Sequence, residues 1–110
     1  MTLTELINKL ELKTVAGNAT EDSFDGVYAG DFLSRAMSHV EAGNLWITIM
    51  SNANVIAVAS LTECAAVILA EDVELLPDAL EAAETNGILI LSSPLTVYEL
   101  CVKIGEATHA

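Results

Sequence analysis

Residues with the type and spacing to do chemistry fall at three places in this chain. The run VYAGDFLSRAM, residues 27 to 37, passes from an apolar stretch through Gly30 into a helix-like segment, the outline of a phosphate-cradling loop. Two further runs, ITIMSNANV (47–55) and ILILSSPLT (88–96), share one layout: an apolar strand, a serine, then a helix start. Helix N-termini at the carboxyl ends of parallel strands offer free amides and hydroxyls to an anion. Thr48, Ser51, Asn52, Ser92 and Ser93 are therefore candidate ligand donors, together with Gly30 and Asp31.

The glycine loop is the weakest of the three. It has neither the G-x-G-x-x-G nor the G-x-x-x-x-G-K-[ST] pattern. Asp31 stands where an N-cap belongs, and a capping carboxylate occupies the amides that a phosphate needs while repelling the phosphate. The expectation is that Asp31 caps the following helix and that this loop does not hold phosphate by itself. At the two serine runs, Ser and Asn are equally common as caps and turn residues, so cap and ligand both stay open there. The remaining strand end reads EDVE (71–74) and would repel an anion.

Catalytic sets are poorly supplied. His39 and His109 have no ligand-like spacing, so no metal site is expected. The serines lack a G-x-S-x-G context. Nothing calls for a cofactor, and no catalytic residue is assigned. Trp46, in an apolar strand, reads as core or interface.

Composition narrows the partners. Sixteen acidic residues against four basic ones give a net charge of −12, which repels nucleic acid and anionic membrane surfaces. Arg35 is the sole arginine, so the usual bidentate clamp for phosphate is scarce. Cys64 and Cys101 lie far apart in apolar contexts and read as buried, reduced thiols. No signal-peptide pattern and no membrane-length apolar run is present, so a cytoplasmic location is expected.

The elements that must position these residues follow from periodicity. Thr2 and Glu5 form a capping-box pair ahead of a first helix at about 3–11, and LKTVAG reads as a short strand. GVYAG gives a second strand. DFLSRAMSHV gives a second helix with Phe32, Leu33, Ala36, Met37 and Val40 as its apolar stripe. The continuous apolar strands LWITIM (45–50), AAVILA (65–70) and GILILS (87–92) alternate with helices, Pro77 and Gly87 bounding one of them. A last helix is expected at about 95–107. Apolar strands alternating with helices predict a three-layer α/β/α domain, residues 1–110, around a mostly parallel four- to five-stranded sheet. The helix at 54–61 is apolar around nearly its whole circumference, so either the first helix or a partner covers it, and a homodimer burying Val55, Ile56, Val58 and Ala59 is the favoured expectation.

With these elements placed, the chain resembles the DRTGG domain family, which is similar to the N-terminal domain of HPr kinase/phosphorylase. The resemblance runs over residues 2–106 and is carried by AG (16–17), DGVYAGDFLSRAM (25–37), AGNLWITIMSNANVIAVASL (42–61), VILA (67–70) and GILILSSPLTVYEL (87–100). The Asp-Arg-Thr-Gly-Gly signature is degenerate here: the region reads EDSFDGVYAG, and only Gly26 clearly matches it. The resemblance implies an HPr kinase N-terminal domain-like fold and a prokaryotic regulatory or dimerising module, in a stand-alone copy. The expected function is thus a non-catalytic module that dimerises and contacts a partner protein. The alternative is a nucleotide sensor at the strand ends; a phosphotransferase is the least favoured reading.

Overall fold

The computed structural model describes residues 1–109. The chain runs α1 (Leu3–Leu10), β1 (Lys13–Ala16), β2 (Val27–Ala29), α2 (Leu33–His39), β3 (Leu45–Thr48), α3 (Ala53–Thr62), β4 (Ala66–Leu69), α4 (Pro77–Asn86), β5 (Ile90–Ser92) and α5 (Val97–His109). The five strands form one sheet in the order β1-β5-β4-β3-β2. β2, β3, β4 and β5 pair in parallel, and β1 closes the far edge antiparallel to β5. This is the expected mostly parallel α/β/α architecture.

Local signals set most boundaries. The Thr2 hydroxyl accepts from the Glu5 amide and the Glu5 carboxylate accepts from the Thr2 amide, at 3.1 and 3.0 Å, completing the capping box at the start of α1. Pro77 occupies the first turn of α4, and Gly87, at φ +67°, ends it in the left-handed conformation. That cap delays β5: residues 87–89 turn off the helix, so the strand is Ile90–Ser92 rather than the whole GILILS run. Gly17 follows β1 at φ +75°, and a Cβ there would sit 2.6 Å from the Ile88 carbonyl oxygen, so no side chain fits.

The sheet has two apolar faces. Trp46, Val67, Leu69 and Ile90 point towards α2, α3 and α4, while Leu45, Ile47, Ile68 and Leu91 point towards α1 and α5. Alternate residues of a strand face opposite ways, which is why continuous apolar runs are needed where both faces are covered.

Two expectations are corrected at this level. Val55, Ile56, Val58 and Ala59 lie in the chain's own core, none more than 3% exposed, because α2 and α4 flank α3 and the sheet lies beneath it. Those four side chains therefore have no surface to offer a second copy, while Ala57 and Leu61 on the outer side of α3 stay exposed. Of the stripe assigned to α2, only Ala36 and Val40 are buried; Leu33 is half-buried, and Phe32 and Met37 are exposed.

Candidate functional site

At the carboxyl end of the sheet the candidate donors do come together, but largely to bond one another. Asp31 does not cap α2. The N-cap is Phe32, with no side-chain cap bond. The Asp31 carboxylate instead accepts from the Thr48 hydroxyl at 2.7 Å and from the Ile49 amide at 3.0 Å. Thr48, fully buried, accepts in turn from the Met50 amide at 3.1 Å. Gly30 is fixed from both sides: its amide donates to the Ile47 carbonyl, and its carbonyl accepts from the Trp46 indole at 3.0 Å. Trp46 is thereby a core residue with its one polar atom satisfied. The chain from β2 to α2 is held by β3, a tertiary arrangement in place of the local cap.

The serine runs behave similarly. Asn52 caps α3, its side chain accepting from the Asn54 amide at 3.0 Å. Ser93 is buried, and its hydroxyl accepts from the Leu95 amide at 3.1 Å. The hydroxyls of Ser51 and Ser92, both half-buried, take no part in these bonds. β4 lies between β3 and β5, so its acidic turn separates the two runs. Glu71 and Asp72, both at positive φ, form that turn and donate backbone amides to the Leu95 and Ser93 carbonyls. The Ser51 carbonyl accepts from the Leu76 amide, tying the third loop in as well. An anion arriving here meets the engaged amides of Ile49, Met50, Asn54 and Leu95 and carboxylates on the intervening turn.

Other groups with chemical potential are accounted for by structure. His39 Nδ1 lies 2.9 Å from the Arg35 carbonyl, which accepts from it when Nδ1 carries the proton, and the ring stacks on Tyr28 with centroids 6.1 Å apart. Burial pushes the Cys64 thiol up to about 11, partly offset by hydrogen bonds to Thr62 and its own backbone, so it is a poor nucleophile at neutral pH. Both cysteines are free and half-buried. Among the described residues, no three His, Cys, Asp or Glu side chains group as a metal site, and no helix is long and apolar enough to cross a membrane.

A wide cleft lies elsewhere, at the β2 edge, and no sequence motif marks it. It encloses about 740 Å³ between Phe24, Val27 and Ala29 on one side and Cys101, Ile104 and Gly105 of α5 on the other; Asp25 and His109 also line it. A second capping box, Thr96 to Glu99, stands at the start of α5 with bonds of 3.0 and 3.1 Å, unmarked among the sequence expectations. Its T-x-x-E spacing was there to be read.

No family model and no curated protein matches the chain. Among solved structures, the chain is similar to the CBS and DRTGG domains of the regulatory region of Clostridium perfringens pyrophosphatase, in complex with the activator diadenosine tetraphosphate. The TM-score is 0.72 at 13% sequence identity, over 94% of this chain and 45% of that one. The chain thus spans less than half the length of that neighbour, and the likeness is one of fold.

Proposed function

We propose that this chain is a regulatory interaction domain of the DRTGG type, without chemistry of its own, that acts by contacting a partner protein. The observation that carries this reading is the state of the strand ends. In an open α/β sheet that region is where ligands are held, and here Asp31, Thr48, Asn52 and Ser93 are engaged with neighbouring amides and hydroxyls of the same chain. The regulatory nature of the structural neighbour supports the reading, as does the resemblance carried by residues 25–61 and 87–100. Self-association remains part of the proposal only through side chains other than Val55, Ile56, Val58 and Ala59.

A nucleotide sensor is the second reading. It is favoured by the Ser51 and Ser92 hydroxyls, which stand at the carboxyl ends of β3 and β5 outside the bond network, and by the activator held by the neighbouring structure. Thermal unfolding against adenine nucleotides, diadenosine tetraphosphate included, separates the two. A ligand at 100 times its Kd stabilises by about 2.7 kcal/mol, a shift on the order of ten degrees for a domain of this size. The interaction reading expects no shift. A shift that Ser92→Asp removes would replace it with the sensor, and ATP turnover by the purified chain would overturn both.

A further inference from the structure

We infer that the open edge of β2 and the cleft beside it accept an extended segment of a partner protein, added as a sixth strand, with apolar side chains alternating with lysine or arginine. The inference rests on the reading of the chain as a protein-contacting domain and names the surface and the kind of partner.

The backbone of β2 sets the geometry. The Gly26 carbonyl accepts from the Leu45 amide and the Gly30 amide donates to the Ile47 carbonyl, so Gly26, Tyr28 and Gly30 face β3. Consecutive strand residues alternate, and the N–H and C=O groups of Val27 and Ala29 therefore turn to the side where the sheet ends. Those four groups form a row that another strand can pair with.

Folded domains blunt such edges with charge, bulges or cover. The opposite edge shows these devices: β1 carries the exposed Lys13 and a register shift between Thr14 and Ala16. β2 reads Val-Tyr-Ala, has no charge and no proline, and leaves Val27 42% exposed. The side chains of Val27 and Ala29 line the cleft, and Gly105 across it leaves open space where a Cβ would meet no atom within 4 Å. An added strand therefore finds both hydrogen-bond partners and a place for apolar side chains.

Charge selects the occupant. Asp25 lines the cleft and Asp31 follows the strand, whereas Lys9 and Lys103 gather in the groove between α1 and α5, and Lys13 lies on the far edge. His109 is the one basic side chain in the cleft lining. With a net charge of −12, the chain attracts a cationic segment and repels a second copy of itself. Antiparallel self-pairing that satisfies Val27 and Ala29 also places Tyr28 on the two-fold axis, and in that register Asp25 of each copy falls opposite Asp31 of the other. Like charges directly opposite are unfavourable.

The test pans a displayed library of random decapeptides on the full chain and then measures the enriched peptides against two variants. Ala29→Pro removes an edge donor that no neighbouring strand uses, a position where proline is tolerated. Gly105→Leu fills the cleft from a helix that favours the new residue. The expected result is enrichment of sequences alternating apolar residues with lysine or arginine, about tenfold weaker binding or worse to each variant, and slowed exchange of the Val27 and Ala29 amides on binding. No enrichment, enrichment without a cationic bias, or binding within about twofold of wild type to both variants overturns the inference. So does a dimer on sizing that Ala29→Pro dissociates, which assigns the edge to a second copy. A nucleotide-induced rise in unfolding temperature that both variants retain removes the regulatory-contact reading instead, so the two failures are distinguishable.

Discussion

Three helices, α2, α3 and α4, lie over the face of the sheet that carries Trp46, Val67 and Leu69, whereas only α1 and α5 lie over the face that carries Leu45, Ile47 and Ile68. On the first face the central helix is flanked by its neighbours, and Val55, Ile56, Val58 and Ala59 are consumed by the core. On the second, α5 reaches β2 but leaves a cleft along it. The difference shows that a largely apolar helix is poor evidence of a binding surface, and that an incompletely covered sheet is better evidence. A partner has something to add only where backbone groups and apolar side chains are both left open.

The contrast can be broken most forcefully at its two cores. Trp46→Ala removes the largest buried side chain of the three-helix face and frees the Gly30 carbonyl, and should cost about 4 kcal/mol in urea unfolding. Ile104→Ala, in α5 beside the cleft, should cost nearer to about 2 kcal/mol, because the space it leaves merges with an opening already present. Equal losses would mean that the two faces are equally well packed. Asp31→Ala comes next, at about 1–2 kcal/mol, since it leaves the buried Thr48 hydroxyl without its acceptor. If Asp31 acted only as a local cap, Thr48→Val would cost as much in the Asp31→Ala background as in the wild type; the shared bond predicts that it costs less there.

Acid should loosen the two-helix face first, and by a smaller margin. The Thr2 amide and hydroxyl hold the Glu5 carboxyl below its ordinary value, and the Thr96 amide and hydroxyl do the same for Glu99. Both folded values are depressed, so the stabilisation is present above the ordinary 4.5 and is lost as pH falls through the lower folded values. No carboxylate caps α2 or α3. Thr2→Ala and Thr96→Ala should therefore flatten the fall of stability below about pH 4.5, measured by thermal melts across that range; an unchanged slope would exclude the caps as its source. The mildest probe leaves the fold intact. Cys101 opens on the cleft and Cys64 packs against the three-helix face. With the Cys64 thiol raised to about 11, roughly one molecule in a thousand carries its thiolate at pH 8. Maleimide followed by mass spectrometry should label Cys101 first, and the opposite order would contradict the proposed openness of that side.

The sequence carried the fold well where the signals are local or periodic. The apolar runs of β3, β4 and β5, the Thr2–Glu5 box and the Pro77 and Gly87 boundaries all appear where spacing put them. It misled where a residue had two ways of satisfying the same chemistry. Asp31 fits a local cap, yet its partner lies seventeen residues on, at Thr48, and nothing in the spacing announces that bond. Apolar residues around α3 are the same pattern whether flanking helices or a second chain covers them. The cleft was invisible for another reason: it depends on which helices the chain crossings send to each face, a property of topology that no local periodicity records.

The position of β1 has a consequence for how the chain comes together. The strand is made early but pairs with β5, Lys13 opposite Ser92, and α1 packs against α5. A polypeptide emerging N-terminus first must therefore carry α1 and β1 without their main partners until β5 and α5 have followed them. The central parallel strands β2, β3 and β4 can assemble in the order of their appearance; α1 and β1 are locked in only by β5 and α5.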